Sequence, residues 1–222
     1  EYVQDLPPQD SVLICVPHCD DEALGCGGTL YKHHLSGHHI TTVFLTDGSQ
    51  SLTDIPQGQL VHTRQEEGRK AARILGIDRC IFLNHKDRRL KETEEAVRKI
   101  TSIIKEVKPD TLYIPFYLDN HPDHRATAKI CLKALQSHPI MYSFFYEIWT
   151  TLIPNYVVDI TPVIGKKLEA IRIYQSQNNI EALADQATSL NRYRSINTQD
   201  QSKFAEAFLK IDGNLIQRFL NS

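Results

Sequence analysis

The sequence predicts an α/β fold: a Rossmann-like, doubly wound and mainly parallel sheet with helices on both faces, closed by a C-terminal strand and helix extension. Three observations predict it. Short apolar runs recur at 11–17, 39–45, 80–83 and 111–115, and they are continuously apolar rather than alternating. Strands covered on both faces read this way, and parallel sheets are covered on both faces. Helix-length segments at 28–35, 61–75 and 92–107 separate the runs, and 119–136 holds a loop followed by a fourth helix. With 222 residues, 41% of them hydrophobic, the chain can fill one large core, so a single domain over 1–222 is expected.

Each element has its own signal. Ser11-Val12-Leu13-Ile14-Cys15-Val16-Pro17 is the first buried strand, and His39-Ile40-Thr41-Thr42-Val43-Phe44-Leu45 is the second. Gly76 stands where the helix over 61–75 must stop. Residues 140–148 and 156–160 read as strands around a Pro154-Asn155 turn, and 162–174 as a helix opened by Pro162. The more polar remainder contains helical stretches at 180–190 and 201–209. No repeat, low-complexity tract or linker divides the chain.

Charge excludes some functions. The 25 basic and 27 acidic residues leave a formal charge of -2, without the basic excess that phosphate neutralisation requires, so no nucleic-acid partner is expected. The dense basic cluster at 85–91 runs straight into Glu92, Glu94 and Glu95. It reads as a solvated loop entering a helix, with an anionic-substrate contact as the other reading. Five cysteines without framework spacing read as reduced thiols, which places the protein in the cytoplasm. No window suits a membrane span, and no secretory leader is visible. The pattern does not set the oligomeric state, and a homo-oligomer is admitted.

Ligands of open α/β sheets bind where loops leave the carboxyl ends of the strands. His18-Cys19-Asp20-Asp21-Glu22 follows the first predicted strand, Thr46-Asp47-Gly48-Ser49 the second, and Asn84-His85-Lys86-Asp87 the third. Asp119-Asn120-His121-Pro122-Asp123-His124 follows the fourth. Imidazoles and carboxylates thus gather at one sheet edge from distant segments. Zinc takes imidazole nitrogen and carboxylate oxygen, and a catalytic site keeps three protein ligands and an open place. His18 and Asp21, three apart on a tight turn, can face one point, and His124 can complete the set. Asp20 then becomes the candidate general base, and His121 the group that stabilises the oxyanion and donates to the leaving amine. Asp123 is a partner that orients one of these imidazoles. Taken singly, His18 and its acidic neighbours would be a polar turn capping a helix. Two such segments after the first and fourth strands favour a site. The glycines of Gly25-Cys26-Gly27-Gly28 do not make a dinucleotide fingerprint, because Leu30 takes the third glycine's place. They serve close helix–strand packing instead.

The run from His18-Cys19-Asp20-Asp21-Glu22 to Gly28-Thr29-Leu30 resembles the signature of the PIG-L/LmbE-like family of zinc N-deacetylases. Leu45-Thr46-Asp47-Gly48, Arg64 with Glu67, and His121-Pro122-Asp123-His124 extend the likeness, as do Val158-Asp159-Ile160-Thr161, Lys167, Ser176-Gln177 and Ala205-Glu206-Ala207-Phe208. The resemblance implies one Zn2+ held by His18, Asp21 and His124, with Asp20 as base and His121 as acid or oxyanion group steadied by Asp123. It also implies substrate contacts at Arg64 and Asp87, and removal of acetyl from an N-acetylated amino sugar, a small-molecule substrate of the N-acetylglucosamine type. Cys19 replaces the family's usual Pro, a change that bears on metal preference and oxidation rather than on the ligands. Three alternatives stay open: a metal-dependent amidase or esterase for another small acylated metabolite, a non-catalytic sugar- or metal-binding relative, and a nucleotide-binding Rossmann protein.

Overall fold

The computed structural model describes residues 6–7, 10–51, 53, 55–198, 202–211 and 216. Its strands form one seven-stranded sheet. They are β1 (Ser11–Val16), β2 (His39–Thr46), β3 (Arg79–His85), β4 (Thr111–Pro115), β5 (Tyr142–Tyr146), β6 (Tyr156–Asp159) and β7 (Ala205–Ile211). The spatial order is β3-β2-β1-β4-β5-β7-β6. The first five strands are mutually parallel, and β7 runs antiparallel to both β5 and β6. The helices are α1 (Asp21–Leu35), α2 (Gln57–Leu75), α3 (Glu94–Val107), α4 (Pro122–Ser137), α5 (Ile164–Ile171) and α6 (Ile180–Arg194).

The winding follows from the strand order. The chain moves outward from β1 through β2 to β3, then returns to the other side of β1 for β4 and β5. Right-handed crossovers therefore put α1 and α2 on one face and α3 and α4 on the other. Alternate residues of β1 feed two cores. Val12, Ile14 and Val16 join Leu30, Leu75 and Ile171 on one face, while Leu13 and Cys15 join Ile100, Ile104 and Leu132 on the opposite one. The doubly wound architecture expected from the sequence is present, and the reversal of winding opens a crevice between the carboxyl ends of β1 and β4.

Local chemistry sets most boundaries. Gly76 ends α2 in the left-handed region at φ 71, a conformation without penalty only for glycine. Thr93 caps α3 by accepting from the Ala96 N–H at 3.2 Å. The glycines of α1 let it lie close on the sheet. A Cβ at Gly25 would meet the Tyr146 ring at 2.5 Å, and one at Gly28 would meet Ile160 at 2.6 Å.

The expectation of helix over 201–209 is corrected: β7 occupies Ala205–Ile211. Ala, Glu and Leu favour helix in isolation. Here the segment fills the gap between β5 and β6, and pairing on both edges outweighs that preference. Its Glu206 is the anchor. Glu206 Oε1 accepts from Lys167 Nζ at 2.6 Å and from the Gly28 N–H at 2.9 Å, and Oε2 accepts from the Thr29 N–H at 2.7 Å. Lys167 Nζ also donates to the Leu24 carbonyl at 2.7 Å. Both side chains are fully buried, so the pair ties β7, α5 and α1 together in a dry environment. Lys167→Met strands the Glu206 carboxylate without its cation and is expected to cost about 3–5 kcal/mol of stability. Urea unfolding measures this, and a loss below about 1 kcal/mol would contradict a structural role for the pair.

Candidate active site

The crevice between β1 and β4 contains a cavity of about 280 Å³ whose lining includes His18, Asp20, Asp21, Arg64, Asp87 and His121. His18 sits in the turn between β1 and α1, and its backbone N–H donates to Asp21 Oδ2 at 2.9 Å. This contact locks the turn. It also places Asp21 Oδ2 3.2 Å from His18 Nδ1 and 3.4 Å from His124 Nε2. One carboxylate oxygen thus lies between two imidazoles from segments more than a hundred residues apart.

His124 comes from the first turn of α4 and is wholly buried. Neither ring nitrogen has a hydrogen bond of acceptable geometry, although Asp119 Oδ1 lies 3.3 Å from Nδ1. A buried ring whose two nitrogens face carboxylates at 3.3 and 3.4 Å without aligned hydrogen bonds fits a bound cation. The electrostatics agree. Burial opposes charge on both rings, yet contacts with Asp123, Asp21 and Asp87 push His18 well above its ordinary value, and Asp21 and Asp119 push His124 up to about 9. Asp21 is desolvated, but His124 and His18 hold it far below the usual carboxylate range. The pocket favours positive charge.

Among the described residues, two groups bring one atom from each of three residues close together, His18, His121 and His124, and His18, Asp87 and Asp123, beside the Asp21 contacts with His18 and His124. Chemistry separates them from the set that pairs Asp21 with His18 and His124. Asp87 Oδ1 and Asp123 Oδ2 both lie 3.2 Å from His18 Nε2, so they take that ring's N–H and leave Nδ1 for coordination. His121 has another duty. It is the N-cap of α4, and its Nδ1 accepts from the Asp123 N–H at 3.2 Å. Accepting at Nδ1 leaves the proton of the neutral ring on Nε2. Burial, and then the neighbouring His18 and His124, lower the His121 pKa, which favours this neutral, donating form.

Asp20 is the N-cap of α1, yet its side chain caps nothing, and its φ of 134 lies in the region that favours glycine. Strain of this kind persists only where surrounding contacts enforce it. Here Gln177 Nε2 donates to Asp20 Oδ2, and Arg64 Nη2 lies 3.3 Å from the same oxygen. The carboxylate is thereby turned from its own helix toward the cavity. Burial raises its pKa against the opposing charge of Arg64, toward the range a general base needs.

The other expected positions make contacts within the protein. Arg64 lines the cavity but is fully buried, and it donates to the Cys19 carbonyl as well as facing Asp20. Glu67, one turn along α2, accepts from the Ser176 N–H at 2.8 Å and so holds the segment carrying Gln177. Asp87, expected to touch a sugar hydroxyl, has Oδ1 on His18 and accepts from the Gln50 N–H through Oδ2 at 2.9 Å. Asp123, expected to steady His121, directs its carboxylate at His18 and accepts from the Arg88 N–H at 2.7 Å. That contact holds Arg88 at φ 59 on the cavity wall. The Cys19 side chain is buried in the core cluster that also holds Phe44, its sulfur beside Gly68, and burial pushes its pKa up. Two contributors carry no earlier assignment. Gln177 holds Asp20. Asp119 lies against His124, accepts from the His121 N–H at 2.8 Å, and sits two residues before the His-Pro-Asp-His run.

The fold, together with this crevice of histidines and carboxylates, defines a hydrolase of the N-deacetylase class. The family model described as PIG-L, GlcNAc-PI de-N-acetylase, matches residues 13–135, and the chain belongs to that family. A diacetylchitobiose deacetylase of Thermococcus kodakarensis is 34% identical over 188 residues, covering 75% of this chain and 69% of the relative. A probable N-acetyl-alpha-D-glucosaminyl L-malate deacetylase 2 of Bacillus anthracis is 31% identical, covering 82% of this chain and 85% of the relative. Among solved structures, the N,N'-diacetylchitobiose deacetylase of Pyrococcus horikoshii, complexed with an inhibitor, superposes with a TM-score of 0.85. It is 27% identical, and the match covers 93% of this chain and 85% of that one. No described helix is long and apolar enough to cross a membrane.

Proposed function

We propose that this chain, as one domain over 1–222, removes the acetyl group from an N-acetylglucosamine-type sugar or its glycoside, with one Zn2+ held by His18, Asp21 and His124. The observation that carries this is Asp21 Oδ2 lying between the half-buried imidazole of His18 and the buried one of His124, with Asp20 and His121 on the same cavity. The names of the relatives support the substrate class. A bound divalent ion supplies Lewis acidity, polarising the acetyl carbonyl and lowering the pKa of water to roughly 7.

The protein's own groups do the rest. Asp20 accepts the proton of the attacking water as its oxygen bonds to the acetyl carbon. Arg64 and Gln177 hold that carboxylate in place. His121 Nε2–H donates to the oxygen on which charge develops, and Asp20 passes the proton it took from water to the nitrogen as the C–N bond breaks. Acetate and a free amino sugar leave. The free state of all five cysteines fits a cytoplasmic setting.

The test is amine release from a panel of N-acetylglucosaminides, assayed as purified with zinc, after dialysis against chelator, and after zinc is restored. Release should vanish on chelation and return with the metal. Equal release after chelation, or none from any substrate, would remove the proposal.

A further inference from the structure

A second cavity, of about 200 Å³, adjoins the first, and the two share Trp149 and Leu183 as walls. Its other lining is mainly apolar: Leu24 of α1, Ile148 after β5, and Ala187 and Leu190 of α6. Two buried contacts fix its shape. Arg194 at the end of α6 donates from Nε and Nη2 to the Glu147 carboxylate at 2.7 and 2.6 Å, and from Nη2 to the Leu152 carbonyl at 2.8 Å. These bonds clamp the loop carrying Trp149 to the helix that forms the opposite wall. Asp119 then joins that loop to the reacting centre, because its Oδ2 accepts from the Trp149 N–H at 3.1 Å while its Oδ1 lies 3.3 Å from His124 Nδ1. The chamber therefore adjoins the active-site cavity, divided from it by one tryptophan and one leucine.

The geometry points to this chamber as a specificity subsite for an apolar group, alkyl or aryl, attached to the N-acetylated sugar. A polar cavity with carboxylates and imidazoles takes the sugar and its acetamide, while the extension, polar only at Thr151 and Gln186 beside Trp149, presents a mainly apolar wall to whatever is attached to that sugar. A dry cavity of about 150 Å³ accepts a benzene ring, so the chamber has room for a substituent of that size. The inference rests on the deacetylase reading for its substrate. Its occupant is the substrate's own aglycone, not a second copy of the chain.

Trp149 is the single tryptophan of the chain, so its fluorescence reports directly on the wall between the cavities. Metal-loaded protein is titrated with the methyl and the hexyl glycosides of N-acetylglucosamine, and kcat/KM is measured for the same pair. The hexyl glycoside should saturate the Trp149 signal at about 10- to 100-fold lower concentration, with a similar preference in kcat/KM. Ala187→Phe, which fills the chamber, should bring both ratios toward unity. Should that variant fail to fold, Leu190→Glu at a half-buried wall position serves instead. Equal affinity for both glycosides in the native chain overturns the subsite, as it would if a neighbouring copy filled the chamber. A preference that survives Ala187→Phe overturns it too. If neither glycoside is deacetylated, the proposed reaction fails, while the fluorescence ratio still decides the subsite.

Discussion

Asp20→Asn lowers kcat by about 10²- to 10⁴-fold, the range expected when a general base is lost, and leaves the metal content unchanged. The amide fills the same volume and can still accept from Gln177 and face Arg64, so the strained turn at φ 134 keeps its supports. What it lacks is the capacity to take a proton at neutral pH. Because the proton moves only in the transition state, kcat and kcat/KM should fall together while KM changes little. Initial rates and elemental analysis on one preparation check both halves. A kcat within tenfold of the native value would mean that Asp20 only shapes the turn, and that another group accepts the proton.

The second large effect belongs to His124. His124→Ala removes a wholly buried ring whose nitrogens have no aligned hydrogen bonds. Zinc affinity should drop by more than the roughly 10–100-fold that loss of an orienting partner costs, and activity should disappear with it. Competition against a chromophoric chelator measures the affinity. His121→Ala is the informative companion. Its Nδ1 caps α4, and its loss should slow turnover while the ion stays. The reverse pattern, with zinc lost from His121→Ala and kept by His124→Ala, would exchange their roles and favour the cluster of three imidazoles.

Much of this was legible in the residues alone. Continuous apolar runs marked the parallel strands, because a strand covered on both faces needs nothing polar, and β1, β2 and β4 are buried along nearly their whole length. That His18, Asp21 and His124 come together was legible because groups at a strand end stay at that end whatever the loops do. Arg64 and Asp87 line the cavity, and their contacts with Asp20 and His18, spanning 44 and 69 residues, were not legible in the sequence. Asp123 is alike: the residues left open which imidazole it orients and the resemblance implied His121, while its carboxylate lies against His18, 105 residues away.

Local pattern accounts for the succession of strands and helices, the glycines where α1 lies against the sheet, and the presence of metal-seeking groups at one sheet edge. These are matters of periodicity and of side chains within a few residues of each other. Tertiary packing alone made β7 a strand, freed Asp20 from capping its own helix, assigned two carboxylates to one nitrogen of His18, and set a mainly apolar cavity beside Trp149. Each of these turns on a competition between near and distant partners. Such contests are settled by burial: once water is excluded, a charge or an unpaired backbone group takes whichever partner the fold brings within reach.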